Sequence, residues 1–394
     1  MNCLTSKELR RMKIVPDIRF KGFEEEWNQY LIKNVASRHD NLRIPIKESK
    51  RKKGNVPYYG ANGIQDYVSG YTHNGEYVLV AEDGANDLNI YPVQYVNGKV
   101  WVNNHAHVLQ AKCEYGTNKF LRFAISNLKI KPYLVGCGRL KLNSEVLMTL
   151  GIKLPKLDSQ IIISNYLYSQ DDNIINTSKK IASLKQLKSA CLISMFPQQG
   201  ETVPRVRFKG FDGEWALSKL GELFEERIEN EPNAEMLSVT MNNGIIKAVD
   251  NGRYDNSNSN KAKYKLVNIG DIAYNSMRMW QGASGVSIYR GIVSPAYTVL
   301  KPNDGVDSLF FSYMFKTDEV VKKFRLSSQG LTKDTWNLKY PAFSEIYVLY
   351  PTKVAEQHQI ASYFRNLDIQ ISEQEKRLEK FKQIKAACLD KMFV

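Results

Sequence analysis

Val15 to Trp27 reads VPDIRFKGFEEEW, and Val203 to Trp215 reads VPRVRFKGFDGEW. Nine of these thirteen positions are identical at a spacing of 188 residues, a long-range self-similarity that no local composition bias produces. A second pair lies farther out, at a spacing of 197. Ser159–Phe196 and Glu356–Phe393 share Gln160/Gln357, Ile163/Ile360, Tyr166/Tyr363, Asp171/Asp368, Ile174/Ile371 and Lys185/Lys382, and they end alike from Lys188 and Lys385 onward. The chain is therefore written twice. Residues 1–27 lead into a first variable segment, 28–153, and 154–202 form the first long repeat. Residues 203–349 hold the second lead-in and second variable segment, and 350–394 close the chain.

Neither long repeat contains Gly or Pro. Apolar residues recur at Ile174, Ile181, Leu184, Leu187, Cys191 and Met195, and again at Ile371, Leu378, Phe381, Ile384, Cys388 and Met392, the spacing of a coiled-coil stripe. At ~1.5 Å per residue each segment predicts a helix roughly 57 Å long. Pro155 and Pro351 precede the two, and Pro197 closes the first. One stripe needs another, and the economical partner is the other copy, packed antiparallel about a pseudo-twofold axis. The variable segments are of mixed character. Short runs such as Tyr77–Val80 and Val299–Leu300 predict strands, turns fall at Asn62-Gly63, Asn97-Gly98 and Asn243-Gly244, and helices fit near Lys119–Ser126 and Ser308–Phe324. The expected fold class is α/β (α+β): two mixed domains separated by two long antiparallel coiled-coil helices. Gly75–Tyr77 corresponds in order to Gly270–Ile272, Asn103–Leu109 to Ile292–Leu300, and Gly138 to Gly330.

Over 394 residues the formal charge is +14, which makes an acidic partner the first to test. That charge is uneven: residues 28–153 carry +8 and residues 216–349 only +1. No apolar run reaches the ~18 residues of a membrane span, and the N-terminus lacks the apolar core of a secretory signal. Five scattered cysteines fit free thiols in a reducing cytoplasm better than a disulfide framework. Catalytic motifs are missing. There is no Pro-Pro to build the Asn/Asp-Pro-Pro-aromatic motif of an adenine methyltransferase, and the one Gly-Lys, Gly98-Lys99, is followed by Val100, so no phosphate loop forms. His105, His107, Cys113 and Cys137 are too loosely spaced to argue for zinc over strand alternation and buried thiols.

Taken together, the duplicated lead-in and the duplicated helix opening on Gln160 or Gln357 and running through Asp171 or Asp368 resemble the specificity subunit of type I restriction–modification systems. The resemblance spans essentially the whole chain. It implies a non-catalytic subunit in which each variable segment reads one half of a split double-stranded DNA site. The repeated helices then act as spacer and dock two methyltransferase subunits, with restriction subunits joining to make the nuclease. S-adenosylmethionine, ATP and magnesium would belong to those partners, with no cofactor or metal on this chain, and the location would be cytoplasmic. One departure stands out: Ser159 replaces the acidic residue that Glu356 keeps before glutamine. The rival readings are a degenerate DNA nuclease or methyltransferase, and an assembly scaffold whose basic charge is incidental.

Candidate DNA contacts follow residue chemistry. In the first variable segment, Lys50, Arg51, Lys52 and Lys53 run into Tyr58, Tyr59 and Asn62, joining phosphate-binding cations to groups that can address base edges. Asn86, Asn103, Asn104, His105 and Arg139 fall in polar turns. In the second, Arg253, Tyr254, Lys261 and Lys263 lead to Asn275, Arg278, Trp280 and Gln281, where Arg and Gln suit guanine and adenine edges. Gln329 and Lys333 flank the glycine turn. For partner subunits the candidates are the repeated polar residues Gln160, Asp171, Lys185, Gln357, Asp368 and Lys382.

Overall fold

A computed structural model describes residues 15–240, 244–251, 261–332 and 335–394. Two compact units emerge, one from residues up to Ser178 together with Lys376–Val394, the other from Lys179–Glu375.

In the first unit, β1 (Asn28–Leu31), followed directly by the one-turn helix α1 (Ile32–Val35), pairs with β8 (Gly151–Leu154), tying the two ends of the variable segment together. Between them lie β2 (Ala36–Arg38), β3 (Lys53–Gly60), β4 (Gly63–Val68), β5 (His73–Ala81), β6 (Val93–Val102) and β7 (Ala106–Ala111). They form one sheet in the order β2-β7-β5-β6-β3-β4, antiparallel except for β3 against β6. The unbroken apolar run Tyr77–Ala81 is explained by burial on both faces. Val78 and Val80 pack toward Phe120 and Phe123, and Tyr77 and Leu79 pack with Val96, Val100 and Val108. Phe120 and Phe123 stand on α2 (Asn118–Ser126), whose first turn is capped by the Thr117 hydroxyl accepting the Phe120 N–H at 3.1 Å. A short helix, α3 (Ser144–Thr149), precedes β8.

The second unit repeats this frame. β9 (Ala216–Lys219), followed directly by the one-turn helix α5 (Leu220–Leu223), pairs with β18 (Tyr347–Tyr350). β10 (Phe224–Glu226), β17 (Tyr297–Pro302), β14 (Ile272–Asn275) and β15 (Ser284–Val286) lie side by side in that order, the counterpart of β2-β7-β5-β6. The landmarks Gly75–Tyr77 and Gly270–Ile272 therefore fall at β5 and β14. Gly138 and Gly330 both have positive φ, each inside a loop closed by a bridge, Val135 to Lys141 and Gln329 to Asn337. Two ribbons are new: β11 (Leu237–Thr240) with β12 (Gly244–Lys247), and β13 (Lys265–Val267) with β16 (Gly291–Val293). Helices α6 (Ser308–Met314), α7 (Asp318–Ser327) and α8 (Tyr340–Ser344) supply the aromatic core Phe310, Phe311, Phe324 and Phe343, all without solvent exposure.

The Gly- and Pro-free runs form α4 (Leu157–Ser194) and α9 (Val354–Lys391), 38 residues each. Each unit takes part of both. In the first, Lys385 pairs with Asp171, and Tyr166 lies beside Cys388; in the second, Lys188 meets Asp368 at 2.5 Å and Cys191 lies 3.4 Å from the Tyr363 hydroxyl. These are the same two pairs with the copies exchanged. In each unit one index rises as the other falls, so the paired segments are antiparallel. The lead-ins repeat as well: the Ile18 N–H donates to Lys391 O at 3.0 Å and the Val206 N–H to Ser194 O at 2.9 Å. The predicted stripe needs one correction. Leu187 is 44% exposed, because the inward heptad position belongs to its neighbour Lys188, whose ion pair with Asp368 occupies the seam.

The substitution at Ser159 also has a structural answer. In the second unit Glu356, 1% exposed, takes both Nε and Nη2 of Arg207, at 2.7 and 2.8 Å, and the Trp215 Nε1–H at 3.3 Å. In the first unit the Ser159 hydroxyl donates instead to Glu25, and Glu25 stands where the second lead-in has Gly213. The carboxylate has moved from helix to lead-in. That hydrogen bond from Ser159 is the main cause holding the Glu25 carboxyl below its ordinary range.

Candidate nucleic-acid interface

The β3–β4 hairpin organises the first domain's polar surface. At its base, Lys50, Lys52 and Lys53 are exposed and have no acidic partner among the described residues. At its tip, Asn62 donates its amide to Gly84 O at 2.8 Å and accepts the Asn86 N–H at 3.0 Å. Eight residues of strand separate base from tip, roughly 25 Å. The basic run and the amide cluster, adjacent in sequence, are thus held at opposite ends of one ribbon.

Two residues expected at the surface are structural. Tyr58 is 1% exposed, and its hydroxyl accepts the Ile46 N–H at 3.0 Å. Arg51 folds back with its guanidinium carbon 4.3 Å from the Tyr58 ring centroid, donates to Ile46 O at 3.2 Å and lies 3.5 Å from Asp66. Both brace the lysine loop rather than project from it. Tyr59 is half-buried, and that burial raises its phenol, with Tyr67 adding to the shift.

Around the tip the separately predicted residues converge. Asp83 accepts from His105 Nδ1 at 2.6 Å and from Arg139 Nη2 at 3.0 Å. Gly84 has φ +68°, a left-handed backbone conformation that favours glycine, and the Arg139 guanidinium packs over it, 2.9 Å from where a Cβ would stand. Asn86 and Asn104 are exposed, as is Arg139. Asn103 is not: at 3% exposure it accepts the His105 N–H at 2.8 Å and donates to Gln65 at 3.3 Å, so the exposed side chain here is Gln65, a residue whose sequence context gives no such signal.

Beneath these loops lies a buried ion network. His107 Nδ1 is 2.8 Å from Asp40 and its Nε2 2.8 Å from Leu142 O; Glu82 binds Arg43 at 2.6 Å and Lys141 at 2.8 Å. Burial alone would push the Asp40 carboxyl up, but hydrogen bonds from His107 and the Val108 N–H, with the His107 and Arg43 charges, hold it below its ordinary value. Glu82 shows the same balance, with Lys141 and Arg43 outweighing desolvation. His105 and His107 thus serve different partners, Asp83 for the first and Asp40 with Leu142 O for the second.

In the second domain the loop after β14 carries the exposed Arg278 and Gln281, and no acidic partner of Arg278 is found among the described residues. Asn275, half-buried, caps the turn by accepting the Met277 N–H at 3.0 Å. Trp280 is not free to wedge. Its Nε1–H donates to Met277 O at 3.1 Å and its ring stands edge-on to Trp336, centroids 5.4 Å apart. That contact, with the Leu338 N–H donating to Ser276 O at 2.9 Å, sets the Gln329–Asn337 loop beside Arg278, and Gln329 is exposed there. Lys261 and Lys263 precede β13, and no described contact joins them to this cluster. Arg253, Tyr254 and Lys333 lie outside the described residues.

The six residues predicted to meet partner subunits divide. Gln160 and Gln357, 1% and 0% exposed, turn inward. Gln160 donates to Tyr115 O and Pro155 O and accepts the Thr117 N–H; Gln357 donates to Gly305 O and Pro351 O and accepts the Asp307 N–H. Each clasps a long helix to its own domain, which leaves no group for a partner. Asp171 and Asp368 are occupied by their lysines. Lys185, bound to Glu375 at 2.7 Å, and Lys382 remain exposed. No group of metal-holding residues occurs among the described residues, and no described helix is long and apolar enough to cross a membrane.

The α/β frame is duplicated, and each copy carries its own exposed polar loops. Its family is shown directly: the chain belongs to the type I restriction modification DNA specificity domain family, whose profile matches residues 24–186 and again 212–383. It is 46% identical over 147 residues to a Haemophilus influenzae protein named as a putative type I restriction enzyme specificity subunit, a stretch covering 37% of either chain. It is 27% identical over 162 residues to the Escherichia coli type I restriction enzyme EcoprrI specificity subunit, covering 41% of this chain. Those matches span 37% and 38% of the two relatives' own lengths. The solved S subunit of a type I restriction–modification system from M. genitalium shares the fold at 14% identity, TM-score 0.66, over 96% of this chain and 99% of that one.

Proposed function

We propose that this chain is the sequence-reading subunit of a type I restriction–modification complex, non-catalytic itself, with each domain recognising one half of a split double-stranded DNA site. The observation that carries this is the unequal repeat. Glutamine clasp, Asp–Lys pair and four-strand core recur in both copies, while the loops bearing exposed cations and amides do not. A bipartite asymmetric target demands that combination, because base contacts must differ while their support stays the same. Lys50, Lys52 and Lys53 suit phosphates. Asn62, Asn86, Asn104, His105 and Arg139, and in the second domain Arg278, Gln281 and Gln329, suit base edges.

Two methyltransferase subunits dock along the repeated helices, where Lys185 and Lys382 present the same position twice, and restriction subunits join that core. S-adenosylmethionine, ATP and magnesium serve those partners in the cytoplasm. The test is to replace residues 28–153 by the equivalent domain of a relative and map methylated sites with partner subunits present. One half of the site should change while the other half stays. A change in both halves, or in neither, overturns the reading.

A further inference from the structure

Resting on the first domain's role as a DNA reader, we propose that Gln65 is a specificity-determining residue of that domain, aimed at an adenine edge by Asn103. Along the hairpin, Tyr58 faces Asp66 but Tyr59 faces Ile64, so Gln65 is an extra residue on β4. A bulge of this kind re-aims the side chain it adds. Here the exposed Gln65 carboxamide lies back across Gly60, where a Cβ would stand 2.3 Å from its Nε2; glycine leaves the room it uses.

Its orientation is fixed from behind. Gln65 Oε1 accepts from Asn103 Nδ2 at 3.3 Å. Asn103 is itself locked, its N–H donating to Tyr59 O at 3.1 Å and its Oδ1 accepting the His105 N–H at 2.8 Å. Gln65 Nε2 has no acceptor among the described residues, and Oε1 keeps a second lone pair. A held carboxamide with one donor and one acceptor open matches adenine N7 and N6. Its neighbours at the tip, Asn62, Asn104 and Arg139, are exposed polar groups. Asn103 is a positioning residue.

The experiment uses the chain assembled with its methyltransferase subunits, a random-sequence DNA library, and methylated-site mapping. Gln65→Met keeps the volume and removes both hydrogen-bonding groups. It should cut discrimination at one position of the first domain's half-site by about 5- to 150-fold, with the other half and the spacing unchanged. Gln65→Glu keeps the acceptor for Asn103 but loses the donor, and should shift that same position toward cytosine, whose N4 donates. An unchanged consensus in variants that melt like the wild type overturns the proposal. Uniform loss on every sequence with a lowered melting point also overturns it, since Gln65 would then only latch the bulge. Exchange of residues 28–153 runs in parallel. If it leaves both half-sites as they were, the reading of the domain has failed, not the assignment of Gln65 within it.

Discussion

The first domain fills the interval between β2 and β5 with one long hairpin, whereas the second fills the equivalent interval between β10 and β14 with the β11–β12 ribbon and β13. Their interiors differ in kind as well. Loops of the first are pinned by the buried Asp40–His107 and Arg43–Glu82–Lys141 pairs; the second rests on a phenylalanine cluster, with Arg227 held against the buried Asp271 at 2.6 Å. What stays constant is the part that meets α4 and α9. The glutamine clasp is the same in both copies, whereas the carboxylate beside it and the polar face differ, so the two copies should respond alike to damage at the clasp and differently to damage elsewhere.

The largest expected asymmetry is at the start of the helices. Glu356→Ala would strand the half-buried Arg207, and loss of a buried charge partner costs about 3 to 5 kcal/mol. Ser159→Ala removes one hydroxyl from a surface-facing carboxylate, about 1 kcal/mol. Denaturant unfolding, with hydrogen exchange assigning the loss to a unit, measures both; equal losses would break the comparison. Next come the glutamines. Gln160→Ala and Gln357→Ala each orphan buried backbone groups, for about 2 to 3 kcal/mol. Because the two make the same three bonds, their costs should agree within ~0.5 kcal/mol, the ordinary error of additivity between independent sites.

The frame was open to sequence reading because it is repeated: Gln160/Gln357, Asp171/Asp368 and the helix endings announce themselves by recurring. Their roles were not. A glutamine kept in both copies reads equally as a partner contact or as an internal clasp, and only burial decides. The convergence of Asn62, Asn86, His105 and Arg139 came from turn chemistry, which is local and legible. Gln65 and Asn103 exchanged roles for a reason no composition shows: a one-residue slip in β4 turns one outward while Asn103 is covered. Arg51 misled because its cationic neighbours suggest solvent, yet an aromatic face at Tyr58 and the Asp66 carboxylate draw it in.

Acid should separate the domains. Asp40 and Glu82 are both held below their ordinary values of 3.8 and 4.5, so they stabilise the fold above that range and lose that contribution as pH falls through their lowered values. The melting midpoint of the first unit should therefore drop steeply below pH ~4.5. Asp40→Asn with Glu82→Gln should flatten that slope while lowering stability near neutrality. A slope that the double variant leaves unchanged would show that other carboxylates govern acid unfolding.

The surface cations act on binding rather than on folding, and here the two domains should differ in kind. Arg278→Ala should relax one position of the second half-site by ~1 to 3 kcal/mol if its guanidinium engages a base edge. Lys50, Lys52 and Lys53 stand roughly 25 Å along the hairpin from the amide cluster, too far to share its base pairs, so they can act only on backbone charge. Replacing all three with alanine should weaken binding to every sequence alike. The slope of log affinity against log salt should shallow by about 2.7, ~0.9 for each phosphate no longer neutralised. Methylated-site maps should not move at all. A changed consensus would put the lysine loop at the bases, and would mean that the hairpin lies along a groove rather than standing with its tip in one.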